Sequence, residues 1–214
     1  MLRCQLNLGR EVKRLQLALV LQEKAMSKRI IDPGDLPPCI LHALMRMTKK
    51  LLQQLLLAGL RQNSTGAPFK TFCARVEKVI NEQVLSRSEL HMTTGQWRVP
   101  LNKKDAKKLG EIKLSGPTAK KIIEGFEAIV EVCTADHPQE FTDLWQIACR
   151  KFKRTMCLLE SKEYFESEDV DFFQLCADEF CDIYVDLTGR DGQTNYFHGL
   201  RVGHFSFFLR KYGN

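Results

Sequence analysis

The sequence predicts an all-α or mainly α fold, a bundle-like domain of about six helices carrying a basic, glycine-broken insertion with room for a short hairpin. Three observations predict it. Apolar residues recur at intervals of three and four in most segments. The β-branched alternation that marks strands is sparse. Most clusters of proline and glycine fall between the periodic runs.

Within residues 6–29, Leu8, Val12, Leu15, Leu19 and Met26 alternate with Arg10, Lys13, Arg14, Lys24 and Lys28, which reads as an amphipathic basic helix in an N-terminal unit of residues 1–31. The run Asp32-Pro33-Gly34-Asp35-Leu36-Pro37-Pro38 stops it, because proline removes the donor that a helix needs. A helical domain over residues 36–214 follows. Its first helix begins near Cys39, with apolar residues from Ile40 to Leu60 on more than one face, which places it centrally in the core. Residues 61–68 read as a loop. A further helix carries Phe69, Phe72, Val76, Ile80 and Val84.

Regular patterning then lapses until Ser115-Gly116-Pro117-Thr118, where a serine followed by proline marks a helix start. Ile122, Ile123, Phe126, Ile129, Val130 and Cys133 continue as one buried stripe. After His137-Pro138 comes a helix carrying the apolar residues Phe141, Leu144, Trp145, Ala148, Phe152, Met156 and Leu159, with Arg150, Lys151, Lys153 and Arg154 on its exposed side. The sign of charge then reverses: residues 163–191 hold ten acidic residues against one basic residue, Arg190. Phe173, Cys176, Phe180, Ile183 and Leu187 keep helical spacing through that acid, so residues 163–188 read as a packed helix with an acidic face. A last helix runs from about Thr194 to Lys211. Gly199 and Gly203 lie four apart in it, which on one helix face signals close approach by a neighbour.

Composition bounds the function. In 214 residues, 44% hydrophobic content is enough for a sizeable core, and the formal net charge is +6. No apolar run approaches the roughly 20 residues that span a bilayer, and no secretory leader is apparent, so no membrane partner is expected and an intracellular location, nuclear or cytoplasmic, is. The eight cysteines include no Cys-x-x-Cys pair and sit mostly in apolar stripes, where a thiol behaves as a small hydrophobe.

The insertion over residues 96–121 is the most informative feature. Arg98, Lys103, Lys104, Lys107, Lys108, Lys113, Lys120 and Lys121 outnumber Asp105 and Glu111 there. Lysines at this density suit phosphate-backbone contact without base readout, and Trp97 offers a surface for stacking on an unpaired base. These nine residues are the candidate nucleic-acid site. The plain alternative is a solvated loop with Trp97 tucked into the core.

Chemistry finds less support. His198 and His204, six apart on one helix, point to different faces and do not share a metal ion. His42, among leucines, reads as a hydrogen-bonded core or interface histidine. No phosphate loop or nucleophile turn is present. Asp32, Asp35, Asp186 and Asp191 are the carboxylates that a metal-dependent nuclease would draw on, but no spacing rule joins them. No catalytic residue, metal or cofactor is assigned, and binding is preferred over catalysis.

The stretch from Pro38 through Ile40-Leu41-His42 to Arg46, the stretch from Gly189-Arg190-Asp191-Gly192 through Asn195 to His198, Gly203-His204, and the closing Arg210-Lys211-Tyr212-Gly213-Asn214 resemble animal mobile-element proteins of transposase origin. The likeness covers residues 36–214 in scattered patches. It implies nucleic-acid binding. It also implies a fragment without activity, since chains of that look continue past Tyr-Gly-Asn and need a late acidic residue that does not follow Lys211 here. The alternatives are a helical protein-interaction module docking through the acidic face or the Gly199/Gly203 face, and a metal-dependent nuclease or transposase remnant.

Overall fold

The computed structural model describes residues 40–63, 66–85, 97–101, 109–160, 165–189 and 195–212. The N-terminal basic helix, Asp32, Asp35 and Asp191 lie outside these residues. The architecture is all-α. Eight α-helices fall among the described residues: α1 Ile40–Gln62, α2 Gly66–Val79, α3 Gly116–Glu124, α4 Phe126–Thr134, α5 Gln139–Glu160, α6 Ser167–Thr188, α7 Asn195–Arg201 and α8 His204–Tyr212.

Helix α1 is the central element that its all-round apolar pattern predicts. Leu44, Met47, Leu51, Leu52, Leu55 and Leu56 are all buried, and α1 packs against α2, α3, α4, α5 and α7. His42 is exposed on its first turn rather than in the core. Helix α2 starts at Gly66, inside the stretch read as a loop, with Pro68 in its first turn where no amide donor is required. It then widens into a π-helical segment, Ile80–Leu85.

Two helices expected to be continuous are each broken by glycine. Helices α3 and α4 part at Gly125, where a Cβ would come within 2.5 Å of the Val84 side chain, so the π segment packs directly onto the backbone there. The last helix divides at Gly203, whose φ of +77° belongs to the left-handed region and ends α7. Gly199 is therefore buried within α7 and Gly203 lies in the turn after it, so the two do not form one helix face. About six helices become eight for these reasons.

Helices α5 and α6 form an antiparallel hairpin that carries the aromatic core. Trp145 meets Tyr184 edge-on at 6.3 Å between ring centroids, Phe152 lies 5.2 Å from Phe180, and Phe197 of α7 closes the cluster at 4.7 Å from Tyr184. Helix α6 begins at Ser167, and the Asp169 carboxylate accepts the Glu166 backbone N–H at 3.0 Å just ahead of it. Cys133, Cys149, Cys176 and Cys181 are buried free thiols. Burial drives all four away from ionisation, and Cys181 is pushed up to about 12. Among the described residues no helix is long and apolar enough to cross a membrane.

Candidate nucleic-acid interface

The insertion is anchored at both ends. On its N-terminal side, Asn81 of the π segment donates from Nδ2 to the Trp97 carbonyl at 2.8 Å and accepts the Trp97 backbone N–H at 2.7 Å. One amide side chain thus satisfies both backbone groups of Trp97, as a neighbouring strand would. Glu77, four residues earlier on the same helical face, accepts the Val99 N–H at 3.0 Å and the Arg98 guanidinium at 2.6 Å. Val99 and, on the returning side, Ile112 are buried in the core. Residues 97–101 are thereby laid along α2.

Leu101 then pairs with Leu109 in an isolated antiparallel bridge, and Gly110 donates its N–H to the Pro100 carbonyl at 2.7 Å. Among the described residues this one bridge is all that forms where the sequence leaves room for a short hairpin, and no strand is present there. Beyond it, Glu111 accepts from Lys49 of α1 at 3.2 Å, and Ser115 caps α3 by accepting the Thr118 N–H at 3.3 Å.

The nine candidate residues separate into distinct environments. Trp97 is half-buried and packs against the hydrophobic core, so it serves as an anchor with part of its ring exposed. Arg98 is exposed but ion-paired with Glu77. Lys113 is exposed. Lys120 and Lys121 stand on α3, so the last residues of the expected insertion are regular helix, and Lys120 pairs with Glu160 of α5 at 2.9 Å. Lys113 and Lys121 make no ion pair among the described residues. Lys103, Lys104, Lys107 and Lys108 lie outside the described residues. The residues that flank them, Leu101 and Leu109, are the two partners of the bridge.

An open groove of about 530 Å³ lies beside this bridge, lined by Phe69, Lys70, Cys73, Ala74, Glu77 and Leu101 along with Gly66. Sequence reasoning passes over it, and over Asn81 and Glu77, whose spacing marks a helix face but not what that face holds. Burial and the nearby Glu77 carboxylate raise the Cys73 thiol above its ordinary value, which keeps it un-ionised at neutral pH.

Elsewhere, His198 and His204 come within 6.2 Å of each other because Gly203 turns the chain between them. No group of three or more metal-ligating side chains is assembled among the described residues. Asp186 is exposed on α6, the one described member of the four carboxylates considered above. No family model matches the chain, and no curated protein and no solved structure matches it either.

Proposed function

We propose that this protein binds nucleic acid through phosphate contacts made by the lysines of its basic insertion, as a transposase-derived binding module without catalytic activity. The observation that carries the reading is the tethering. Residues 102–108 hold four lysines and one aspartate, and both ends of that segment are fixed at a single bridge on the helical body. Positive charge gathered on one short tethered segment meets successive phosphates at lower entropic cost than the same lysines scattered over a surface. Exposed Lys113 extends the charge toward α3. Arg98 and Lys120 already face carboxylates and contribute less, because a phosphate has to compete with Glu77 or Glu160.

The test is a mobility-shift titration with duplex and single-stranded probes over a salt series. Binding is expected to fall steeply with salt. Replacing Lys103, Lys104, Lys107 and Lys108 with Ala should flatten the log–log salt slope by about 3, at roughly 0.7–0.9 per phosphate contact. A complex unchanged by the quadruple substitution, or no complex at low salt, refutes the reading. Nicking dependent on magnesium or manganese and abolished by Asp186→Ala would support the nuclease-remnant alternative instead.

A further inference from the structure

We infer that the groove between α2 and Leu101 receives an unpaired base of a single-stranded nucleic acid, stacked on Phe69, while Lys70 and Lys78 of α2 meet the phosphates of that strand. The inference rests on the nucleic-acid reading and narrows its ligand to a strand whose bases are free.

The groove is one continuous surface. Phe69, Cys73 and Glu77 follow one another at intervals of four along α2, and Ala74 stands beside them. Leu101 forms the facing wall, because Glu77 holds the Val99 N–H at 3.0 Å and so lays residues 97–101 along the helix. Its volume of about 530 Å³ lies in the range that takes a small organic ligand. Phe69 packs partly against the hydrophobic core and lines the groove with the rest of its side chain. An aromatic ring held in this way is a stacking platform, and every base has a face to set against it.

Charge identifies the occupant. Helix α2 has four charged residues, of which Arg75 meets Asp136 and Glu77 meets Arg98. The two that remain are Lys70 and Lys78, both exposed, without an ion pair among the described residues and about 12 Å apart along the axis. The carboxylate on the groove wall is thus already engaged, and the charge left for a ligand is positive. The lysine-rich residues 102–108 follow Leu101 directly in the sequence. An apolar slot with uncompensated lysines at its edge suits a ligand whose flat apolar faces are strung on a negative backbone, which describes single-stranded nucleic acid. A duplex keeps its bases inside the stack and presents only its phosphates here.

Fluorescence anisotropy of the full chain with labelled strands of equal length tests this, using oligothymidylate, an abasic strand with the same phosphates, and the duplex of oligothymidylate with oligoadenylate. Oligothymidylate is expected to bind about tenfold more tightly than the abasic strand. Phe69→Leu, which keeps the apolar packing but removes the ring, and Ala74→Leu, which adds bulk to the groove wall from an exposed position, should each abolish that gain with helicity by circular dichroism unchanged. Lys70→Ala with Lys78→Ala should instead weaken oligothymidylate and the abasic strand alike and flatten the log–log salt slope by about 1.4, at roughly 0.7 per single-strand phosphate contact. Equal affinity for oligothymidylate and the abasic strand, tighter binding of the duplex than of oligothymidylate, or a gain that survives both groove substitutions overturns the inference and leaves the phosphate-contact reading standing. Failure of every strand to bind at low salt, or tighter binding of polyglutamate of equal charge, overturns both.

Discussion

Asn81 holds the N–H and the carbonyl of Trp97, and Glu77 one turn earlier holds Val99 and Arg98. Neither carries positive charge, yet both position the segment that does. Asn81→Ala strips two backbone groups of their partners, so a loss of about 1–3 kcal/mol is expected in thermal or urea unfolding. Faster hydrogen exchange at the Trp97 amide should accompany it. The weakening of nucleic-acid binding should come without a change in salt slope, because no phosphate contact is removed. Asp136 is a second such residue: it accepts from Asn63 at 3.0 Å and from Arg75 at 3.1 Å, and these bonds hold its carboxyl below the usual carboxylate range. A folded pKa below the unfolded one stabilises the fold above the unfolded value and is lost as pH falls through the folded one. Wild type should therefore exceed Asp136→Asn in stability at neutral pH, and the gap should close as unfolding is repeated below about pH 4.

The helix breaks distinguish two glycines that the sequence presents as a pair. Gly203→Ala forces a side chain into the left-handed region and is expected to cost about 1–2 kcal/mol. Gly199→Ala puts a Cβ at ordinary contact, 3.4 Å from the Phe205 ring, inside a helix where alanine gains up to about 1 kcal/mol over glycine. Its effect on the unfolding midpoint should be near zero or stabilising. Equal losses at both positions would contradict the break. The helical stripes themselves are legible, because Trp145, Phe152 and Leu159 or Phe173, Cys176 and Phe180 repeat as buried faces must, although the stripe on α6 ends on Tyr184 rather than on Ile183 and Leu187, which are only half-buried. The breaks are not. Gly125 reads as an interior glycine until Val84 is seen against it, and the π segment preserves enough of the apolar spacing to pass as α-helix. Glu77 and Asn81 look like the outer face of an amphipathic helix, since the irregular segment they hold, residues 97–99, is about 20 residues away and local periodicity carries no record of it.

Across the molecule, the aromatic part of the core concentrates in the α5–α6 hairpin, where Phe152, Phe180 and Tyr184 are buried and in ring contact. Phe180→Ala should cost about 3–5 kcal/mol in unfolding experiments, from lost burial and the cavity left behind. Charge segregation, plain in the sequence, has a different meaning in the fold. Three of the seven carboxylates of α6 meet bases on three neighbouring helices, Glu179 with Lys151 of α5, Asp182 with Arg201 of α7 and Asp171 with Arg210 of α8. Pairs this exposed contribute little singly, so the acidic helix is a surface balanced by its surroundings. Within the insertion Arg98 faces Glu77 and Lys120 faces Glu160, and its excess of lysine over acid is the part of the candidate site that composition alone could reveal. The Leu101–Leu109 bridge also brings together the two ends of the chain on either side of residues 102–108. A chain closed at one point tolerates growth: doubling such a loop adds only about 0.6 kcal/mol of closure entropy. Insertions or deletions between Leu101 and Leu109 are therefore expected to leave the packing of the helices below nearly unchanged.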